Sequence, residues 1–127
     1  MEVIEYQKSV AVTDEDIDGI MASALEGGIN YWCERVDVVG EYLGEYASEQ
    51  ISRGGSLVLV PFDEDETKAI DKASILNGLK MYLESPEKPY DIIDSKNDID
   101  EINPFNIDAS VSDMIVQYAA FGELVYG

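Results

Sequence analysis

Apolar and polar positions alternate patchily over the first dozen residues, where Val3, Ile4, Tyr6, Val10 and Val12 predict a strand or strand pair across 3–12 with a bend at 7–9. The period then changes. Thr13 followed by Asp14, Glu15 and Asp16 is a helix start, a capping hydroxyl ahead of acids at the positive end of the dipole. Ile17, Ile20, Met21, Ala24 and Leu25 repeat at the spacing of one buried helical face, and Gly27-Gly28 supplies a left-handed stop. Residues 29–39 are apolar at several spacings, which suits a short helical turn running into a strand.

GEYLGEYASEQISRGG, residues 40–55, reads as a second helix with Leu43, Tyr46, Ala47, Gln50 and Ile51 on one face and Glu41, Glu45 and Glu49 as a stripe opposite. Like charges four apart cost about 0.2–0.5 kcal/mol per pair. Burial of each large apolar side chain returns about 1.5–3 kcal/mol, so the stripe is tolerable. Arg53 sits at the negative end and Gly54-Gly55 closes the helix. SLVLVPF, residues 56–62, has the continuous apolar character of a strand buried on both faces and ended by Pro61.

Residues 63–66, DEDE, form an acidic turn into a helix over 67–84, with Ile70, Ala73, Leu76, Leu79 and Leu83 as its inner face and Lys68, Lys72 and Lys80 balancing the acids. Residues 85–107 carry Pro86, Pro89 and Pro104 among acids and read as a long flexible loop with one short extended piece around 90–93. Asp108 or Ser110 caps a last helix with Val111, Met114, Ile115, Tyr118 and Ala119 inward, stopped at Gly122 before a segment, 123–127, that could be a strand. The predicted fold class is α+β, one domain over 1–127, a small sheet with about four helices packed on it.

Composition sharpens the surface. Of 127 residues, 46% are hydrophobic, enough for one core. Twenty-seven Asp and Glu against eight Lys and Arg leave a net charge of -19, and the absence of histidine removes the usual group that titrates near neutrality. Spread over the surface expected for this mass, that is about one net negative charge per 350 Å². Such a field repels nucleic acid and anionic lipid and draws basic partners, so direct nucleic-acid binding is excluded.

Without histidine and with one cysteine, most acid–base, nucleophilic and transition-metal chemistry loses its residues, and a non-enzyme is expected. No catalytic residue, cofactor site or metal site stands out. Paired carboxylates are uninformative among so many acids. DSKNDIDEIN, residues 94–103, spaces Asp94, Asp98 and Asp100 like a calcium loop but lacks the central glycine, and Phe105 stands where the bidentate glutamate belongs. Both glycine pairs follow helices, whereas a phosphate-cradling turn opens one. Cys33 has no base beside it and reads as an inert buried thiol. Tyr31 and Trp32 read as core, although eight tyrosines also suit a protein interface. No signal peptide or membrane-length apolar run is present, so a cytoplasmic location is expected.

The stretches TDEDIDGIMASALEGGINYWCERV and GEYLGEYASEQISRGGSLVL, with the ending DMIVQYAAFGELVYG, resemble a family of small acidic proteins encoded by bacteriophages and prophages of Gram-positive bacteria. The resemblance spans residues 12–60 and 113–127 and implies a genomic setting, with the host cytoplasm as location, and no activity. In that setting a carboxylate surface can occupy the basic nucleic-acid channel of a host defence enzyme, substituting for phosphates. The candidate contacts to such a basic partner are Asp14, Glu15, Asp16 and Asp18 on the first helix and Glu41, Glu45 and Glu49 on the second. The alternative is an accessory or scaffold-like protein whose tyrosines build a homo-oligomer while charge serves solubility alone.

Overall fold

The computed structural model describes residues 1–6, 8–62, 66–96 and 98–127, and of residues 5, 6 and 8 the backbone alone. The expected strand pair is a hairpin, β1 (Glu2–Tyr6) and β2 (Lys8–Val12), in which Glu2 faces Val12 and Val3 faces Ala11. Gln7 of the expected bend, and all of the expected acidic turn but Glu66, lie outside the described residues. Val10, Ala11 and Val12 are all buried, and β2 has a strand on each side within its sheet.

Thr13 then starts α1 (Asp14–Ser23) with a reciprocal capping box: the Asp16 N–H donates to Thr13 Oγ1 at 3.1 Å and the Thr13 N–H to Asp16 Oδ2 at 2.9 Å. Ile17, Ile20, Met21 and Ala24 are fully buried, as the helical spacing predicts. The left-handed stop at Gly27-Gly28 is corrected. The chain continues as one wider π turn, Ala24–Gly28, and neither glycine takes a positive φ. Gly28 serves a close approach instead, since a Cβ there would lie 2.7 Å from the Ala109 carbonyl oxygen.

After a turn at 29–32 the chain enters β3 (Cys33–Val38), which pairs antiparallel with β4 (Leu57–Pro61); β4 in turn pairs antiparallel with β5 (Lys68–Ile70). In β4, Leu57, Leu59 and Pro61 are buried and Val58 and Val60 half-buried, so one face is more enclosed than the continuous run suggests.

The second predicted helix does not form. Residues 40–46 are irregular, Ala47–Glu49 make one 3-10 turn, and turns follow to Gly54 at φ +93. Two things win over the helical period. Gly40 and Gly44 weaken any helix, and the buried Gln50 side chain takes the loop's backbone bonds. Its Oε1 accepts the Leu43 N–H at 3.0 Å, and its Nε2 donates to the carbonyls of Glu41 at 3.1 Å and Val39 at 3.4 Å.

The next helix begins later than expected. Ile70 ends β5, and Asp71 caps α2 (Lys72–Glu84) through the Ser74 N–H at 2.9 Å. The buried face is therefore Ile75, Gly78, Leu79, Tyr82 and Leu83, with Ala73 exposed and Leu76 half-buried. Within 85–107 lie two short strands rather than loop alone, β6 (Ile93–Asp94) and β7 (Asp100–Ile102), with Ile92, Asp100 and Ile102 buried. β7 runs parallel to β2, completing a sheet of order β1-β2-β7-β6 beside the three-stranded sheet β3-β4-β5.

Asp108 caps α3 (Ala109–Phe121), and Gly122 ends it at φ +74. Residues 123–127 form no strand. Among the described residues three α-helices and two sheets share one hydrophobic core, the α+β domain expected, with a helix number close to the expected four. Among the described residues no helix is long and apolar enough to cross a membrane.

α2 packs directly on α3 at Gly78, where an added Cβ would meet the Ile115 carbonyl oxygen and lie 2.8 Å from the Ala119 N. Gly78→Ala is expected to destabilise by about 1–3 kcal/mol through overpacking. Gly19→Ala, with nothing within 4 Å of the new Cβ, is expected to stabilise by about 0.5–1 kcal/mol through helix propensity. Urea unfolding midpoints of the two variants check the contrast.

Candidate partner-binding face

The sequence singled out seven acids, and the structure divides them. Asp14 Oδ1 lies 3.4 Å from Lys72 Nζ, which also pairs with Glu2 at 3.3 Å. Asp16 is spent in the capping box. Asp18 Oδ1 accepts the Ser52 hydroxyl at 2.5 Å, tying α1 to the turns after residue 49. Glu49 folds back on its own loop: Oε1 accepts the N–H groups of Glu45 and Tyr46, both at 3.0 Å, and Oε2 lies 3.3 Å from the Arg53 guanidinium. The Tyr46 N–H foremost, helped by Arg53 and the Glu45 N–H, holds its carboxyl below the ordinary range.

That leaves Glu15, Glu41 and Glu45 exposed, with no hydrogen-bond or ion-pair partner for their carboxylates among the described residues. The Asp18–Ser52 bond holds α1 against the turns that follow the loop containing Glu41 and Glu45. The helical stripe of Glu41, Glu45 and Glu49 does not exist.

Sequence reasoning placed Leu43 and Tyr46 inward and passed over Tyr42. In the irregular loop, Val39 is 49% exposed, Tyr42 59%, Leu43 47% and Tyr46 62%. A groove of about 290 Å³ runs from Ala22, Leu25 and Glu26 to Tyr46, Ala47 and Ser48. Exposed aromatic and aliphatic side chains thus alternate along 39–46 with glutamates whose carboxylates have no partner among the described residues. The only sequence signal for this was the pair of glycines, Gly40 and Gly44, which argue against a helix.

Behind Tyr31 lies a polar cluster that sequence reasoning also missed. Asp113 is only 8% exposed. Its Oδ1 accepts from Trp32 Nε1 at 2.7 Å and Gln117 Nε2 at 2.9 Å, and its Oδ2 from the Tyr31 hydroxyl at 2.5 Å. Gln117 Oε1 accepts the N–H groups of Val125 and Tyr126, both at 2.8 Å, and Nε2 donates to the Tyr126 carbonyl at 3.1 Å. The Tyr126 ring stacks on Trp32 at 4.9 Å, with Phe121 edge-on to both. Asp113 and Gln117 stand four apart on α3, a spacing at which an amide reaches a carboxylate, and that was the available signal. Trp32 is core as expected, whereas Tyr31 is 55% exposed with its hydroxyl anchored. Burial first, and the Asp113 carboxylate second, push the Tyr31 hydroxyl up to about 12.

Cys33 is buried, and desolvation raises its thiol, which donates to the Arg35 carbonyl at 3.2 Å. In the acidic stretch 94–103, Asp100 accepts the Lys96 N–H at 3.0 Å and Asp94 accepts from Asn103 Nδ2 at 3.3 Å; Asn97 lies outside the described residues. No group of three or more His, Cys, Asp or Glu side chains is placed to hold a metal among the described residues. No known protein family, no curated protein and no solved structure matches the chain.

Gln117→Leu keeps approximate volume but strips two backbone N–H groups of their acceptor and Asp113 of a donor. With each unsatisfied buried group costing about 1–3 kcal/mol, the expected stability loss is about 2–4 kcal/mol. The single tryptophan should shift its emission to the red as Tyr126 leaves it. Urea unfolding followed by that fluorescence checks both.

Proposed function

We propose that the protein is a non-enzymatic binding module whose 39–49 face docks a basic protein, one that itself handles nucleic acid in a host defence system. The observation that carries this reading is the interleaving of exposed Tyr42, Leu43 and Tyr46 with unpaired Glu41 and Glu45. Tyrosine is favoured in interface cores because it buries large area at low entropic cost. Carboxylates around it steer a cationic partner and stand in for the phosphates that partner normally meets. Glu15 and the rest of the -19 charge extend the same field, over an accessible surface of 6762 Å². The likeness of residues 12–60 and 113–127 to small acidic phage and prophage proteins supplies the setting. Self-association through the same tyrosines is the less favoured reading, because two copies meeting there would press Glu41 and Glu45 of each together.

The test is capture from a lysate of a Gram-positive bacterium by the tagged protein and by two variants, Tyr42→Ser with Tyr46→Ser, and Glu41→Gln with Glu45→Gln. The wild type is expected to retain a basic nucleic-acid-binding protein at about 0.05 M salt and release most of it at about 0.5 M, where the Debye length is only about 4 Å. Each variant should bind about tenfold more weakly, the loss of roughly one interface anchor. Recovery of nothing but a dimer of the protein itself would overturn the reading in favour of the homo-oligomer.

A further inference from the structure

We propose that the groove between the π turn, α3 and the 123–127 segment is a binding site for an organic cation, an alkylammonium or alkylguanidinium group. The groove encloses about 570 Å³ and shares no lining residue with the 39–49 face. That volume is in the range of small-molecule sites.

Asp113 lines this groove, and it is the acceptor that selects a cation. An ionised carboxylate offers about four acceptor positions. Three are filled, two on Oδ1 by Trp32 and Gln117 and one on Oδ2 by Tyr31. One position on Oδ2 remains. All three donors are neutral, and no lysine or arginine among the described residues pairs with Asp113. A buried anion solvated by neutral dipoles gains most from a ligand that brings both an N–H and a positive charge, since such a bond is charge-assisted and offsets the burial of the carboxylate.

The rest of the lining agrees. Met114 and Leu124 give apolar surface for a methylene chain, Tyr31 and Tyr126 add aromatic rings of the kind that attract cations, and exposed Glu87 contributes a second negative charge. An anionic ligand meets two carboxylates and no lysine or arginine among the described lining residues. The same ligand chemistry reaches the groove from two sources, a free amine or guanidine and a lysine or arginine side chain of another protein.

The experiment is an NMR titration of the wild-type protein with butylguanidinium, butylammonium, an end-blocked Ala-Arg-Ala peptide and, as neutral control, 1-pentanol, at about 0.15 M salt to screen diffuse attraction. Saturable shifts are expected at the Met114 and Leu124 methyls and at the Trp32 indole N–H, with the cations binding about tenfold more tightly than the alcohol, the worth of one charge-assisted bond. Glu87→Gln, on the exposed rim, should weaken binding about threefold without changing the fold, in line with a partly screened charge. Tighter binding of the peptide than of butylguanidinium assigns the site to a protein side chain, and the reverse assigns it to a free cation. Equal response to alcohol and cation, or non-saturating shifts spread over Glu15, Glu41 and Glu45 with Met114 and Leu124 unmoved, would overturn the proposal.

Discussion

One buried carboxylate organises this fold. Asp113 is held by three neutral donors from two parts of the chain, Tyr31 and Trp32 in the turn before β3 and Gln117 one helical turn further along α3. A charge removed from water needs every donor it can find, so those parts are fixed relative to one another. The constraint propagates in both directions. The Trp32 carbonyl accepts the Phe62 N–H at 3.1 Å, which joins the cluster to the end of β4. Gln117, already donating to Asp113, accepts two backbone N–H groups from 125 and 126 and so docks a segment that has no ladder of its own. Gly28 and Gly78 then matter because they let the π turn and α2 come close to the α3 backbone.

The arrangement separates structural acids from available ones. Asp16, Asp18, Glu49 and Asp113 accept hydrogen bonds from backbone or side-chain donors, so these four of the 27 acids in the chain have structural roles. Of the seven acids singled out from the sequence, Glu15, Glu41 and Glu45 are the ones whose carboxylates stay exposed and without a partner among the described residues. Glu41 and Glu45 stand beside exposed Tyr42 and Tyr46 in an irregular loop rather than in a repeating helical row.

Legibility in the sequence followed locality. The cap at Thr13, the cap of α3 narrowed to Asp108 or Ser110, the stop at Gly122 and the buried face of α1 are set by residues within a few positions of one another, and local sequence signals find them. Residues 40–55 have a convincing helical period, yet Gln50 supplies from its side chain the bonds a helix would supply from its backbone, and periodicity cannot register that competition. The strand at 100–102 depends on parallel pairing with β2 about ninety residues away, and nothing near it in sequence announces this. Asp113 reads in the sequence as one acid among 27; Gln117 lies four positions away, but only the fold brings its other two donors, Tyr31 and Trp32, from more than eighty positions away.

The most direct measurement of the central claim is hydrogen exchange at the Trp32 indole Nε1–H, the single indole in the chain. If the Asp113 cluster holds the fold together, this proton exchanges only through global unfolding, with a protection free energy equal to the stability found by urea unfolding. Exchange through local opening, at a free energy well below the global value, would contradict the account.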